Sequence, residues 1–244
     1  MIEVENLSID RKTFRINGVS FSIVENGING IGGLNGSGKT TVLKAIYGFL
    51  KPSGGAVYID GKNISGMGPR EIASMVSVVH QEQPTPMNFT VRDVVQLSGY
   101  SRGQGGPGLE ECLEACGIDH LSDREFSTLS GGEKRIVMFA AAMYQNTRYI
   151  LLDEPMTFLD VDKAVRVMSI IRRFREAGKT VVIVSHDINF LYNECDNVIL
   201  MRAGSVLYQG DPRKVINEKT LYEVFNVKFG RYESAEGVRF YPYP

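Results

Sequence analysis

The sequence predicts an α/β protein whose mainly parallel sheet is interrupted by a helical insert. Short apolar runs rich in β-branched residues, such as "VSVVHQ", "YILLDE" and "TVVIVS", are typical of buried strands. Segments with helical spacing of apolar residues separate most of these runs, and strands that alternate with helices form parallel sheets covered by helices. Between about residues 82 and 145 the alternation gives way to helices and loops, which we interpret as the insert.

The elements before and within the insert follow from local patterns. "IEVENLSI" and "VSFSIV" alternate as strands do, and "NGINGIGGLNGSGKTT" is a buried run that turns through glycines into the helix "TTVLKAIYGFL". After the strand "AVYIDG", Pro69 opens the short helix "PREIASM". Thr90 and Asp93 predict a capping box for a helix over "VRDVVQLS", and "LEECLEACG" is a further helix.

The alternation of strands and helices resumes after Gln145. We expect the strand "YILLDE", a helix over about residues 163–177, the strand "TVVIVS", a helix after Asp187 and the strand "NVILM". "GSVLYQG" is the hairpin partner of the last strand. Two small helices, near Pro212 and Thr220, precede an aromatic-rich end.

Composition fits a cytoplasmic globular protein. The 244 residues are 23% charged and 43% hydrophobic, and the formal net charge of −1 gives no general attraction to nucleic acid or acidic lipid. No run reaches the roughly 18 uncharged apolar residues of a membrane span, and the start "MIEVENLSID" is unlike a secretion signal. Three cysteines are too few and odd in number for a disulfide framework. We expect one domain over residues 1–244, with a C-terminal tail over about 211–244.

The segment "GLNGSGKT" matches the phosphate-loop pattern G-x-x-x-x-G-K-[ST] between a predicted strand and a predicted helix. In such a loop, backbone N–H groups and the helix N-terminus surround phosphate oxygens. We expect Lys39 to reach the β- and γ-phosphates and Thr40 to coordinate Mg²⁺. The predicted nucleotide contacts in this segment are Gly33, Asn35, Gly36, Ser37, Gly38, Lys39, Thr40 and Thr41.

Two carboxylates end the buried strand "YILLDE". At the carboxyl end of a parallel strand the chain turns toward the ligand crevice, so both side chains can reach a bound nucleotide. We expect Asp153 to hold Mg²⁺ through its water shell and Glu154 to act as general base on the attacking water. A solvated strand end is the alternative interpretation.

Two neutral polar residues follow other strands of the same sheet. His186 comes after "TVVIVS" and Gln81 ends "VSVVHQ", so both are predicted at the nucleotide edge. A γ-phosphate and its metal ion need such groups nearby, because contacts with them change when the phosphate is hydrolysed. For His186 alone, a structural role is the alternative.

A second glycine turn, "LSGGE", opens the predicted helix "EKRIVMFAAAM". Free amides and the positive end of the helix dipole there suit an anion. The first loop already surrounds its own nucleotide, so we expect this turn to bind the nucleotide of a second copy arranged head to tail. A plain N-cap, with Ser130 and Glu133 as its box, explains the serine and the glutamate but leaves Gly131 and Gly132 without a purpose.

Taken together, these motifs resemble the ATP-binding cassette ATPases. "GLNGSGKTT", the glutamine at Gln81, "LSGGE", "YILLDEP", "FLD" at Asp160 and "SHD" at His186 occur in the order typical of that family. The resemblance implies a P-loop NTPase fold with an antiparallel β subdomain, and a subunit that dimerises on ATP. It also implies that Asp160 lies at the dimer interface, and that residues 129–133 bind the partner's ATP.

A narrower resemblance is to the ATPases of importers for iron–siderophore, haem or cobalamin. It is carried by "NFTVRDVV", "STLSGGEKR", "SHDINFLYNECDNVILMRAG" and "TLYEVFNVKF". Two segments depart from that pattern. Arg11 stands at the position where the family has an aromatic residue that stacks on adenine, with Phe14 nearby. The stretch of residues 99–108 is shorter than its counterpart in those importers. A guanidinium can also stack on a base, so Arg11 remains a predicted ATP contact.

The resemblance implies ATP hydrolysis coupled to transport through a separate membrane permease, with a substrate-binding protein acting upstream. "QEQPTPMNF", from Gln81 to Phe89, is apolar and stiff enough to dock a permease helix, although an ordinary surface loop is the alternative. A cassette without a permease, such as the iron–sulfur-cluster assembly type, is the alternative function. A nucleic-acid-linked cassette would need a long coiled-coil insert or a basic patch, which the sequence lacks.

Overall fold

The computed structural model describes residues 1–11, 14–81, 89–101, 105–235 and 237–244. The strands are β1 (Ile2–Arg11), β2 (Phe14–Ser22), β3 (Ile28–Gly33), β4 (Gly54–Ile59), β5 (Lys62–Asn63), β6 (Val76–Val79), β7 (Tyr149–Asp153), β8 (Thr180–Val184), β9 (Asn197–Arg202), β10 (Ser205–Gly210), β11 (Lys228–Ser234) and β12 (Gly237–Tyr243).

The α-helices lie between the strands in the order that the sequence predicts. They are α1 (Lys39–Ile46), α2 (Pro69–Met75), α3 (Val91–Ser98), α4 (Leu109–Cys116), α5 (Gly131–Gln145), α6 (Val161–Glu176), α7 (Ile188–Glu194), α8 (Pro212–Val215) and α9 (Glu218–Phe225). The predicted α/β class is confirmed.

The described chain forms two compact units. The first joins Met1–Met67 to Val182–Pro244, and the second is Gly68–Val181. In that part of the chain no helix is both long enough and apolar enough to span a bilayer.

An antiparallel sheet with the order β2-β1-β4-β5 occupies one part of the first unit. Along β1 the residues Ile2, Val4, Leu7 and Ile9 are buried, as an alternating half-buried strand requires. The antiparallel β subdomain that the family resemblance implies is therefore present.

The phosphate loop of the first unit starts from a buried strand. β3 pairs in parallel with β9, and β10 pairs antiparallel with β9. The amide of Ser185 donates to the carbonyl oxygen of Ile31 at 3.1 Å, which sets the end of β8 beside β3. Parallel strands bring their carboxyl ends to one edge, so the segments after β3 and β8 leave the sheet on the same side.

The predicted tail ends in the hairpin of β11 and β12, which packs on α7. The side chain of Asn189 donates to the carbonyl oxygen of Phe240 at 3.2 Å and accepts from the amide of Phe240 at 2.7 Å. The ring of Phe240 is buried, and it meets Tyr192 edge to face at 5.2 Å between centroids.

The second unit contains the helical segment and two strands of the parallel sheet, β6 and β7. Thr90 and Asp93 form the predicted capping box at the start of α3. Cys112 and Cys116 are buried on α4, as expected from their helical spacing. α5 packs on α6 through Phe139 and Phe174, whose rings lie 6.4 Å apart.

Candidate nucleotide-binding and hydrolysis site

The phosphate loop in the first unit depends on glycine at two positions. Gly33 has φ 147° and Gly38 has φ 105°, which are conformations that L-residues with side chains rarely adopt. A Cβ at Gly33 would lie 2.2 Å from the carbonyl oxygen of Met201, which rules out any side chain there. The sequence therefore keeps glycine where the backbone turns tightly between β3 and α1.

Lys39 is folded back into the loop. Its side chain is only 5% exposed, and its Nζ donates to the carbonyl oxygens of Gly33 at 2.9 Å and Leu34 at 3.0 Å. The ammonium is thus held inside the turn formed by Leu34, Asn35 and Gly36, which are themselves exposed. A cation fixed below an exposed turn is the arrangement that phosphate binding by such loops requires.

Ser37 provides a second indication of an anion site. Its Oγ is buried and has no hydrogen-bond partner among the described residues, although a buried unpaired hydroxyl costs about 1–3 kcal/mol. Its backbone is fixed, because its amide donates to Leu34 at 3.1 Å and its carbonyl accepts from Gly204 at 3.1 Å. A phosphate oxygen would satisfy the orphaned hydroxyl, so the donor set of this loop fits a triphosphate.

Arg11 and Phe14 occupy facing positions where β1 and β2 join. A Cβ on Gly38 would lie 2.7 Å from Cζ of Phe14, so the phenyl ring is in contact with the phosphate loop, whereas Arg11 is exposed. Phe14 is therefore the aromatic that packs on the loop. It was not among the predicted site residues, although an aromatic opening the strand before a phosphate loop is a detectable signal.

His186 lies between two anchored neighbours in the first unit. Ser185 is hydrogen-bonded to β3, and the carboxylate of Asp187 caps α7 by accepting from the amides of Asn189 at 2.9 Å and Phe190 at 3.1 Å. His186 itself is exposed. Its backbone is thus fixed at the end of β8, next to the residue that bonds to β3.

The second unit carries the two predicted carboxylates. Asp153 ends β7 and is 5% exposed, and Glu154 follows with φ 47°, in the left-handed region. Thr157 holds Glu154 in this conformation: its amide donates to the Glu154 carbonyl at 3.3 Å, and its hydroxyl donates to Oε2 at 3.1 Å. The chain thus leaves the regular strand conformation directly after Asp153.

Arg135, on α5, connects two predicted site residues that are distant in sequence. It is 5% exposed, its Nη2 donates to the carbonyl oxygen of Gln81 at 2.7 Å, and its Nη1 donates to that of Glu154 at 3.2 Å. Burial lowers the pKa of Arg135, an effect that the nearby charges of Asp153 and Glu154 oppose. The sequence interpretation missed Arg135, because nothing in "GGEKR" indicates which strand ends its side chain reaches.

The turn of Ser130, Gly131, Gly132 and Glu133 is a helix N-terminus with a complete capping box. The hydroxyl of Ser130 accepts from the Glu133 amide at 3.3 Å, and the Glu133 carboxylate accepts from the Ser130 amide at 2.8 Å. The Ser130 hydroxyl also donates to the Glu133 carboxylate at 2.7 Å, and this bond together with the one from the Ser130 amide holds the pKa of Glu133 below its ordinary value. The predicted cap is present, and both glycines lie in its first turn.

Asp160 and Lys163 lie next to this turn. Lys163 Nζ donates to Asp160 Oδ2 at 3.2 Å, while the Lys163 stem passes over Gly132. Within the second unit, the Lys163 side chain thus links Asp160 to the glycine turn. Of the predicted docking segment Gln81–Phe89, the residues 82–88 lie outside the described residues.

The predicted metal ligands have suitable chemistry. Thr40, Gln81 and Asp153 offer a hydroxyl, an amide and a carboxylate oxygen, and Mg²⁺ prefers oxygen ligands. Thr40 lies at the start of α1, and Asp153 is buried at the end of β7. The residues present fit this ion.

Residues 16–157 match the family model described as ABC transporter. The chain belongs to the ABC transporter family. This cassette is 35% identical over 225 residues to the hemin import ATP-binding protein of Rhizobium meliloti (strain 1021), across 87% of this chain and 86% of that protein. It is 30% identical over 238 residues to the petrobactin import ATP-binding protein of Bacillus subtilis (strain 168), across 93% of each.

The fold agrees with that of a solved cassette. The bacterial ABC transporter cassette MJ0796, whose structure is dimeric, matches with a TM-score of 0.76 and 27% identity over 87% of this chain and 99% of that one. The predicted family and P-loop fold are confirmed. ATP is the nucleotide of such cassettes, ATP hydrolysis is their general activity, and ABC cassettes are dimeric.

Proposed function

We propose that this cassette hydrolyses ATP to drive uptake of an iron complex, such as an iron–siderophore or haem, or of a cobalamin-type solute, through a separate membrane permease. The observation that carries import is the 30–35% identity, over most of the chain, to two ATP-binding proteins named for hemin and petrobactin import. The same identity disfavours a soluble cassette of the iron–sulfur-cluster assembly type.

The phosphate loop binds the triphosphate in this proposal. Lys39 exchanges its two backbone carbonyl partners for phosphate oxygens, and the orphaned hydroxyl of Ser37 gains an acceptor. Exposed amides from Leu34 to Gly36 complete the donor set. Arg11 supplies a stacking surface for the base, and Phe14 borders it.

The metal ligands and the base come from strand ends. Thr40, Gln81 and Asp153 hold Mg²⁺ directly or through water. Mg²⁺, when bound, neutralises charge on the phosphate oxygens. Glu154 accepts the proton of the attacking water, and the hydroxyl of Thr157 orients its carboxylate.

His186 contacts the γ-phosphate in this proposal. Its fixed neighbours, Ser185 and Asp187, keep the imidazole at the end of β8, so the backbone needs no rearrangement for the contact. A neutral or charged imidazole offers a hydrogen-bond donor to a phosphate oxygen, and loss of that oxygen on hydrolysis breaks the contact.

A second cassette completes each site. Two copies pair head to tail, and the turn of Ser130, Gly131, Gly132 and Glu133 binds the ATP held by the partner. The amides of Gly131 and Gly132, which the capping box does not use, and the positive dipole end of α5 support an anion there. Asp160, adjacent through Lys163, contacts the partner at the same interface.

All 244 residues form one ATPase domain, with its helical subdomain at about residues 82–145. The permease docks on the segment from Gln81 to Phe89. Phe89 is 38% exposed, which leaves an aromatic surface for a partner. Such a complex places the cassette at the cytoplasmic face of the membrane.

Uptake measured in cells tests the proposal directly. The parent chain, produced together with a candidate permease from the same organism, should support uptake of a labelled ferric siderophore or of haem, and the Glu154→Gln variant should not. Phe89→Asp should reduce co-purification of the permease, whereas Tyr243→Asp, an exposed change in the tail, should leave it unchanged. Neighbouring genes for iron–sulfur-cluster assembly, together with no uptake, would contradict import and favour the soluble alternative.

A further inference from the structure

Arg135 is a buried cation whose hydrogen bonds serve the backbone of other segments. Both bonds that the described residues give its guanidinium go to carbonyl oxygens, those of Gln81 and Glu154. The side chain is 5% exposed. Burying a charge costs several kcal/mol unless strong hydrogen bonds offset it, and an apolar side chain would fill the same volume without that cost. A buried guanidinium that clamps two carbonyls therefore points to a role beyond packing.

The two carbonyls belong to the residues with the proposed metal and base roles. Gln81 is the first residue of the predicted docking segment, and Glu154 carries the carboxylate. Glu154 also has φ 47°, a conformation that costs a residue with a side chain about 1–3 kcal/mol. Its carbonyl oxygen accepts from Arg135 and from the amide of Thr157, so two donors maintain the unfavourable backbone.

Arg135 also lies in the first two turns of α5, close to the glycine turn. Its Cα is two residues after Glu133, which closes the capping box. A planar guanidinium presents donors from separate nitrogens in a fixed fork, whereas an ammonium presents all its donors from one flexible nitrogen. The Arg135 side chain thus connects α5, the helix proposed to meet the partner's ATP, with the strand ends at Gln81 and Glu154.

We propose that Arg135 is a positioning residue that locks the backbone of Gln81 and Glu154 to helix α5 and thereby holds the Glu154 carboxylate in its reactive orientation. This inference rests on the proposed role of Glu154 as the base. Arg135 does not touch the nucleotide in this scheme, so its loss should slow turnover and spare ATP binding.

The Arg135→Met variant tests the inference in the full-length chain. It keeps an unbranched, flexible side chain of apolar character and removes both donors. We expect kcat for ATP hydrolysis to fall roughly 10- to 100-fold, as misplacement of a catalytic group by about 1 Å does, with affinity for a fluorescent ATP analogue within about twofold of the parent. Arg135→Lys, whose single nitrogen replaces the two nitrogens that now reach separate carbonyls, should give an intermediate kcat.

Arg173→Met is the matched control. Arg173 also donates from Nη1 to a backbone carbonyl in the same unit, that of Ala115 at 2.6 Å, but it is exposed and Ala115 has no predicted role in the site. We expect its kcat to equal that of the parent. In the Glu154→Gln background, Arg135→Met should cause no further loss of residual turnover, because it acts through Glu154.

The possible outcomes distinguish a failure of the positioning role from a failure of the proposed function on which it rests. A parent chain without ATPase activity overturns both. An active parent whose turnover is unchanged by Arg135→Met overturns the positioning role alone, as does a loss of ATP binding equal to the loss of kcat. Should Arg135→Met not fold, Arg135→Lys decides: parental kcat contradicts the proposal, and reduced kcat with parental ATP binding supports it.

Discussion

The side chain of Lys163 crosses the backbone of Gly132: a Cβ on Gly132 would lie 2.3 Å from Lys163 Cδ, whereas a Cβ on Gly131 would meet nothing within 4 Å. The two glycines of one turn are therefore unequal. The lysine stem needs the second glycine, and the ion pair with Asp160 keeps the stem in that position.

Gly132→Ala should therefore impair the enzyme more than Gly131→Ala. The added methyl group must displace the flexible Lys163 stem, which disturbs its ion pair with Asp160 beside the turn proposed to bind the partner's ATP. ATP turnover of the two variants at equal protein concentration measures the difference. The double variant Gly132→Ala with Lys163→Ala removes the clash, so its turnover relative to Lys163→Ala alone should recover. Equal losses for both glycines would contradict the asymmetry.

Glu154→Gln should retain ATP binding, lose turnover and accumulate as an ATP-bound dimer. The amide keeps the size of the side chain but cannot accept the proton of water, while Lys39 and the loop amides are untouched. Sedimentation with ATP and Mg²⁺ detects the dimer, and phosphate release reports turnover. Hydrolysis at the parental rate would show that another group is the base.

Lys39→Ala should abolish high-affinity ATP binding. The ammonium is the buried cation of the phosphate loop, and the substitution also removes its bonds to Gly33 and Leu34. Lys44→Ala, on the same helix and outside the loop, is the matched control and should bind ATP as the parent does. Equilibrium binding of a fluorescent ATP analogue distinguishes them. Parental affinity in Lys39→Ala would contradict the phosphate role.

The stability of the second unit should fall in acid through its capping boxes. Hydrogen bonds from Thr90 lower the pKa of Asp93 from its ordinary value of 3.8, and bonds from Ser130 lower that of Glu133 from 4.5. A depressed pKa in the folded state means that the contribution is complete above the ordinary value and is lost as pH falls through the folded-state value. The free energy of unfolding, measured with urea between pH 7 and about 3, should therefore decline below pH 4 to 5. Asp93→Asn should flatten part of this dependence, and an unchanged slope would contradict it.

Local sequence patterns predicted the helices and strands well because the features that start and end them involve residues close together in the sequence. The boxes of Thr90 with Asp93 and of Ser130 with Glu133 were readable from spacing, and both are present. Asp153 ends its strand as the apolar run "YILLD" indicates. Most predicted motif positions therefore lie at the element ends where they were expected.

Contacts between remote segments were not predictable in the same way. The bond from Arg135 to Gln81 spans 54 residues, and it depends on how α5 packs on the strand ends. Likewise, Phe14 meets Gly38 and Lys163 meets Gly132 only after the sheet and helices have packed. The left-handed backbone of Glu154 also has no local signal, since a non-glycine residue adopts it only where neighbours such as Thr157 enforce it.

The concentration dependence of turnover tests the shared-site arrangement most directly. ATP hydrolysis per chain, followed as the parent protein is diluted at saturating ATP and Mg²⁺, should fall steeply once the cassettes no longer pair, because each nucleotide then lacks the turn of Ser130, Gly131, Gly132 and Glu133 from its partner. Turnover per chain that stays constant down to concentrations where sedimentation detects only single cassettes would contradict it.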